Sequence, residues 1–220
     1  MIVDERMTIF IDSMDTPNTE FLNQLEKYSK ETNVPIIRPS MQSFLKLLLS
    51  MKQPKKILEV GTAIGFSALL MSEYGPEDCH ITTIEKYEKR IPLAKENFAK
   101  AGKENRITLL EGDATEILKE LDGKFDFIFM DAAKGQYIHF LPDILRLLAD
   151  GGMLVSDNVL QDGDIIESRF AVTRRNRTIH GRMRDYLYEL KHHPDLVTSI
   201  LPVGDGVTVS VKQKNKDVNK

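Results

Sequence analysis

Between Lys56 and Leu160 short apolar runs alternate with stretches of amphipathic helical periodicity, and this alternation restricts the chain more than any other feature. The runs Lys56 to Val60, Cys79 to Glu85, Ile107 to Glu111, Phe125 to Asp131 and Met153 to Ser156 are too short for helices and rich in β-branched and aromatic residues, so they read as strands. A strand that is followed each time by a helix returns to the same edge of the sheet, and the resulting parallel sheet is covered on both faces. The expectation is an α/β, doubly wound fold.

The flanking segments follow a different pattern. Ahead of the first strand, Pro17 suits the first turn of a helix continued by Phe21, Leu22, Leu25 and Tyr28, and Met41, Phe44, Leu45 and Leu48 mark a second. Covering core is the simplest use of these two helices; covering a ligand cleft or building a dimer contact are the others. After Asn158 a polar stretch leads to an Arg-rich helical segment, Thr173 to His192, closed by Pro194. Strands Leu196 to Leu201 and Val207 to Val211 then flank Pro202-Val203-Gly204-Asp205-Gly206, a connection that fits an antiparallel hairpin. One domain is expected: helices over 1–52, a core over 53–211 and a polar tail over 212–220. The net charge of -3 selects no partner, and the lone Cys79 excludes an intrachain disulfide framework. No window has signal-peptide or membrane-spanning character, so a cytoplasmic protein with no membrane partner is expected.

In open parallel sheets ligands bind beyond the carboxyl ends of the strands, and those ends are polar here. The first strand runs into Glu59-Val60-Gly61-Thr62-Ala63-Ile64-Gly65, with a helix starting near Phe66-Ser67, so glycine backbone and free helix N–H groups coincide. The spacing G-x-x-x-G lacks the third glycine of a dinucleotide fingerprint and disfavours a pyrophosphate and a nicotinamide dehydrogenase. Glu85, ending the second strand, is placed to accept from ribose hydroxyls, and Asp113-Ala114, after the third, to flank an adenine. Adenosylmethionine or a nucleotide would use these groups alike; a turn glycine or a solvated carboxylate accounts for any one of them taken alone.

Asp131 ends the fourth strand and Asp157-Asn158 the fifth. Two carboxylates and an amide carbonyl are hard oxygen donors suited to Mg²⁺, Mn²⁺ or Ca²⁺. A helix cap at Asp131 and an Asx turn at Asp157 describe the same residues equally well.

Taken together, Glu59 to Ser67, Asp131-Ala-Ala-Lys-Gly-Gln-Tyr137, Asp157-Asn158 and Leu201-Pro-Val-Gly-Asp-Gly206 resemble the cation-dependent O-methyltransferases of the catechol and caffeoyl-CoA type, over about Val34 to Val211. Within that group the chain looks like the bacterial enzymes that methylate 5-hydroxyuridine at the wobble position of tRNA. The resemblance implies a Rossmann-like class I methyltransferase sheet, mostly parallel with an antiparallel C-terminal hairpin and helices on both faces. It implies S-adenosyl-L-methionine contacts at Ile37, Glu59, Gly61, Thr62, Ser67, Glu85, Ala114 and Asp131, metal ligation by Asp131, Asp157 and Asn158, and a homodimer. The plant enzymes' long substrate-recognition insertions are absent, and Ile37 stands where they carry Thr, which points away from a phenylpropanoid-CoA substrate.

Lys134, three residues past Asp131, is the expected proton acceptor or oxyanion stabiliser, with Asp131 beside it. A substrate with vicinal oxygens, a catechol or 5-hydroxyuracil, suits such a site. Six arginines (Arg169, Arg174, Arg175, Arg177, Arg182 and Arg184) fall within sixteen residues that contain no acid. With the resemblance, they point to the anticodon stem-loop of tRNA, with Arg174, Arg175 and Arg177 as phosphate contacts; Tyr137 and Phe170 read equally as stacking partners for a base or as core. A helix face solvated by arginines is the alternative. A small-molecule methyltransferase and a non-catalytic RNA-binding module are the competing functions.

Overall fold

The computed structural model describes residues 3–168 and 170–214. Its centre is a seven-stranded sheet in the order β3-β2-β1-β4-β5-β7-β6, built from β1 (Lys56–Val60), β2 (His80–Glu85), β3 (Ile107–Glu111), β4 (Phe125–Met130), β5 (Leu148–Ser156), β6 (Leu196–Leu201) and β7 (Val207–Lys212). The first five strands are parallel; β7 pairs antiparallel with β5, and β6 with β7. The doubly wound sheet with a C-terminal antiparallel hairpin is therefore as the sequence indicates.

The strand period of two sorts the core into halves. Ile57, Ile81, Phe127, Phe129 and Val155 face one layer, packed by α2 (Glu20–Thr32), α3 (Pro39–Lys52), α4 (Phe66–Tyr74) and α5 (Ile91–Lys100). Leu58, Val60, Ile84, Ile128, Met130 and Leu154 face the other, packed by α6 (Ala114–Glu120), α7 (Tyr137–Leu147) and α8 (Arg177–His192). Phe127 to Met130 are all fully buried, as a central strand sandwiched between helices requires. Strand order reverses between β1 and β4, and this switch point opens a cleft at their carboxyl ends.

Several boundaries differ from the sequence expectation. Pro17 precedes the N-cap Thr19 of α2 rather than opening the helix. A further helix, α1 (Glu5–Ser13), lies ahead of α2 and buries none of its residues. The strand expected from Met153 starts at Leu148. α8 begins at Arg177, not Thr173: Asn176 accepts from His180 N at 2.8 Å while its own amide donates to Thr173 in a turn, so Thr173 to Asn176 form the approach to the helix. Arg169 and residues 215–220, most of the expected polar tail, lie outside the described residues. Among the described residues, no helix is long and apolar enough to cross a membrane.

Candidate active site

The cleft at the switch point encloses about 500 Å³ and is lined from every strand end around it, including Gly61, Glu85, Asp113, Asp131, Asp157 and Asn158. Ile37, Thr62, Ser67 and Ala114 also reach its wall.

The glycine loop after β1 is shaped by the protein's own packing. Gly61 adopts φ +106, and a Cβ there would lie 2.1 Å from the Asp131 carbonyl oxygen, so the end of β4 can approach β1 only because residue 61 has no side chain. Gly65, at φ +88, caps α4 against the Phe98 ring, which a Cβ would meet at 2.5 Å. The first turn of α4, Phe66 and Ser67, thereby lies on the cleft wall, where a helix N-terminus favours negative charge.

Glu59 lies behind this wall, fully buried. Its Oε2 accepts from the Thr83 hydroxyl at 2.5 Å, and Thr83 in turn contacts the Thr62 hydroxyl at 2.5 Å. Oε1 has no hydrogen-bond partner among the described residues. Burial pushes its carboxyl up to about 7; the neighbouring Ser67 and Thr83 hydroxyls oppose this and the Asp131 and Glu85 charges add to it. An orphaned buried acceptor is costly in a folded chain, and here it sits beside a glycine-shaped cleft, as a site for a cationic or donor-bearing ligand requires.

Glu85 stitches two loops together: Oε2 accepts from Ala63 N at 2.7 Å, and Oε1 from Tyr87 N at 2.8 Å and Lys86 N at 3.0 Å. A carboxylate offers about four acceptor positions, so room for a ribose hydroxyl remains. Asp113 caps α6, accepting from Thr115 N at 2.8 Å, and pairs with Lys86 at 3.3 Å. Those bonds, the Thr115 amide first, hold its carboxyl below the usual range. The contribution of Asp113 to the cleft is thus that of a helix cap lying on its wall.

Asp131, Asp157 and Asn158 come together as the parallel pairing of β4 and β5 demands. Asn158 Nδ2 donates to Asp131 Oδ1 at 3.0 Å, and Asp157 Oδ1 accepts from Asn158 N at 2.7 Å. Burial raises both carboxyls above their ordinary values, and for Asp157 the Asp131 charge adds to it. No lysine or arginine forms an ion pair with either among the described residues. A half-buried and a buried carboxylate that repel one another, Asp131 and Asp157, with an amide oxygen alongside, form a donor set that a hard divalent cation fits.

Lys134 begins a short 3-10 turn, Lys134–Gln136. Its ammonium pairs with Asp205 Oδ2 at 3.0 Å, a partner that sequence alone does not reveal, since Asp205 reads there only as part of the hairpin connection. Arg38, beside Ile37 on the cleft wall, is likewise hidden in the sequence; it pairs with Asp162 at 3.2 Å. A charged residue within a turn is the only sequence signal either carries.

Two aromatic expectations separate. Tyr137 is fully buried, accepts from Ala132 N at 3.2 Å and lies within 3.1 Å of the Met130 and Asp157 carbonyls, so it braces the ends of β4 and β5 and cannot stack on a base. Phe170 is 83% exposed, with Arg177 over its ring at 5.8 Å. The arginines separate likewise. Arg182 and Arg184 donate to the Gly135 and Ile165 carbonyls, both at 3.1 Å, and so fasten α8 to the segments flanking the cleft. Arg177 donates to Val172 O at 3.4 Å. Arg174 and Arg175 are exposed, and no partner for either is found among the described residues.

The chain is similar to known proteins in sequence and in fold. An O-methyltransferase family profile matches residues 12–213. A catechol O-methyltransferase of Niastella koreensis is 35% identical over 143 residues, 62% of this chain and 65% of that enzyme, so the match spans just under two thirds of its length. Caffeoyl-CoA O-methyltransferase 2 of Populus trichocarpa is 33% identical over 180 residues, covering 76% of this chain and 70% of the plant protein. The SAH-bound structure of the Podospora anserina methyltransferase PaMTH1 superposes with a TM-score of 0.85 at 28% identity, covering 96% of this chain and 95% of that one.

Proposed function

The chain belongs to the O-methyltransferase family, and from that premise we propose that it transfers the methyl group of S-adenosylmethionine to a hydroxyl held beside a divalent cation, with 5-hydroxyuridine of a tRNA anticodon stem-loop as substrate. The observation that carries this reading is the convergence of Asp131, Asp157 and Asn158 on a cleft whose opposite wall is the Gly61 to Gly65 loop.

S-adenosylmethionine supplies an electrophilic methyl on a sulfonium. Ile37, Gly61, Thr62, Ser67, Glu85 and Ala114 would hold it, with Glu59 behind them as a buried counter-charge; that a Podospora anserina relative is SAH-bound supports this, since SAH is the demethylated product. A bound Mg²⁺, Mn²⁺ or Ca²⁺ supplies Lewis acidity that lowers the pKa of a coordinated hydroxyl, and Asp131, Asp157 and the Asn158 amide oxygen would hold it. The chain's own contribution is positioning: Tyr137 braces the carbonyls of Met130 and Asp157, and the glycine loop lets Asp131 approach. Lys134 stands at the edge of this arrangement, where its ammonium would stabilise the oxyanion and its neutral amine would accept the hydroxyl proton.

Exposed Arg174 and Arg175, with Arg177 against exposed Phe170, suit phosphates and a splayed base. A small-molecule catechol is the second reading, favoured by the 35% identity to the Niastella enzyme. A homodimer is part of the proposal: α1 and its C-cap leave Met7, Phe10, Ile11 and Met14 half or more exposed at helical spacing, and α1 packs on α3, which exposes Leu47 and Met51.

The test is incubation with labelled S-adenosylmethionine and Mg²⁺, with and without EDTA, offering unmodified tRNA, tRNA bearing 5-hydroxyuridine and free catechol in parallel. EDTA-sensitive label in the hydroxylated tRNA alone is the expected result. Label mainly in catechol transfers the assignment to small molecules, and no label despite cofactor binding rejects both substrates.

A further inference from the structure

Asn18 lies in the linker between α1 and α2, and its half-buried side chain joins two helices that form the cleft. Its Nδ2 donates to Gln42 Oε1 of α3 at 2.8 Å, and its Oδ1 accepts from the Tyr74 hydroxyl of α4 at 3.3 Å. The Asn23 side chain holds the linker to α2, donating to the Asn18 carbonyl at 2.8 Å. Gln42 passes the contact on: its Nε2 donates to the backbone carbonyl of Ile37 at 3.1 Å. Gln42 ends the first turn of α3, after Pro39, and helical side chains lean toward the N-terminus, so the carboxamide reaches back that far. Ile37, Arg38 and Met41 line the cleft, whereas Gln42, 4% exposed, and Asn18 stand behind them.

A carboxamide is a poor choice for filling space here. Met41, Leu45, Leu48 and Leu49 of the same helix are buried and apolar, and a buried amide costs stability unless both of its ends are bonded. Both are bonded, and the direction is fixed: the nitrogen faces Ile37 O because the oxygen faces the Asn18 amide. We propose that Gln42 is a positioning residue for S-adenosylmethionine and that Asn18 orients it: the Asn18 amide sets which way the Gln42 carboxamide points, and Gln42 then holds the Ile37 stretch of the cleft wall in place for the cofactor. The Tyr74 contact adds α4, whose first turn, Phe66 and Ser67, lies on the same wall. The linker thus supports two cleft-forming helices from outside the cleft. The inference deepens the proposed methyl transfer and rests on it for the identity of the ligand alone.

Asn18→Asp tests the direction of this chain of bonds. It keeps the size and the acceptor for Tyr74 but turns a donor into a second acceptor, so the Gln42 nitrogen swings to the carboxylate and its oxygen meets the Ile37 carbonyl. With S-adenosylmethionine titrated calorimetrically into the full chain, Kd is expected to rise about fivefold or more, as loss of one buried hydrogen bond implies. Gln42→Met is expected to weaken binding similarly, and Asn18→Asp added to Gln42→Met to weaken it no further. Ser43→Ala is the control: it cuts the neighbouring tie to the linker, Ser43 Oγ to Asp15 at 2.8 Å, without touching the carboxamide, and Kd is expected to stay at the wild-type value. In turnover, the KM for S-adenosylmethionine should rise in Asn18→Asp while kcat at saturating cofactor holds within about twofold. An unchanged Kd in Asn18→Asp overturns the proposal, and so does a fall in kcat at unchanged KM. Penalties that multiply in the double variant also overturn it, as does equal weakening by Ser43→Ala, which would mean that any loosening of the linker suffices. Binding as expected without methyl transfer to tRNA or catechol removes the substrate reading alone; a wild type that binds no S-adenosylmethionine removes both.

Discussion

The Asn158 side-chain amide donates to Asp131 Oδ1 at 3.0 Å, which commits its nitrogen and leaves its carbonyl oxygen as the free donor beside the half-buried Asp131 and the buried Asp157. The backbone at Asn158 is left-handed, φ +62, a region Asn tolerates better than most residues. A cation bound there removes the repulsion between Asp131 and Asp157, so Mg²⁺ or Mn²⁺ at about a hundred times its Kd is expected to stabilise the wild type by about 2.7 kcal/mol. Asp157→Ala and Asn158→Ala are expected to lose most of that gain, read as the shift in Tm on adding the ion. Equal shifts in wild type and variants would place the cation elsewhere.

Glu59 gives the chain a pH dependence of definite sign. Its carboxyl is raised from 4.5 to about 7 in the folded state, so the native state holds a proton that the unfolded state releases. Stability from this group is complete below about pH 4.5, and it is lost as pH rises toward and through 7, in total about 3 kcal/mol at 1.36 kcal/mol per unit. Glu59→Gln removes the titration. Cofactor-free Glu59→Gln is expected to be more stable than wild type at pH 8 and nearly level with it at pH 5 in urea denaturation. Parallel pH profiles for the two proteins would show that the carboxylate is answered by a partner in the native state.

Gly61→Ala tests the close approach of β1 and β4. Both the Cβ position 2.1 Å from the Asp131 carbonyl and φ +106 oppose a side chain, so the strand ends must separate. Overpacking of this kind costs about 1–3 kcal/mol, and positive φ adds to it. Weakened cofactor binding by calorimetry should accompany the lost stability, because the displaced carbonyl belongs to the residue whose side chain forms the neighbouring acid pair.

What could be read from the sequence follows from what fixes each feature. The parallel strands and the meeting of Asp131 with Asp157 and Asn158 were legible because strand alternation alone sets the topology, and topology alone brings adjacent strand ends together. Asp205 was not, since its partners Asp162 and Lys134 are 43 and 71 residues away and only the hairpin's docking joins them. Tyr137 and Phe170 looked alike as aromatics near the site; packing against the ends of β4 and β5 buried one and left the other in solvent. The start of α8 was misplaced because Thr173 to Asn176 carry no apolar residue whose spacing could tell a turn from a helix. α1 was missed because its apolar spacing serves no core of its own chain.

If that unburied face is covered by a second copy, Phe10→Glu in α1 should disfavour association without disturbing the core. Phe10 is 61% exposed, so the fold loses little by its replacement, whereas a paired interface would gain two buried charges. Light scattering at several concentrations is expected to show a dimer for the wild type and a monomer for the variant, with cofactor affinity unchanged. A wild type that stays monomeric removes the dimer from the proposal.

The arginines divide into a set bonded to the chain's own carbonyls and a set exposed to solvent, and the consequence of that division is measurable. Arg174 and Arg175 are exposed, so their joint replacement by Ala should change stability by less than about 0.5 kcal/mol. If they neutralise phosphates, affinity for an anticodon stem-loop falls across all sequences, and the slope of log K against log salt drops by roughly 0.7–0.9 for each phosphate left without its arginine. Arg182→Ala should do the reverse at first order, since it removes the bond to Gly135 O that fastens α8 beside Lys134. Its unfolding free energy should fall by about 0.5–1.5 kcal/mol, the worth of one such hydrogen bond, while the salt slope stays at the wild-type value. An unchanged salt slope in the double variant Arg174→Ala, Arg175→Ala would mean that these two side chains are merely solvated, and the balance of the substrate assignment would then pass to the catechol reading.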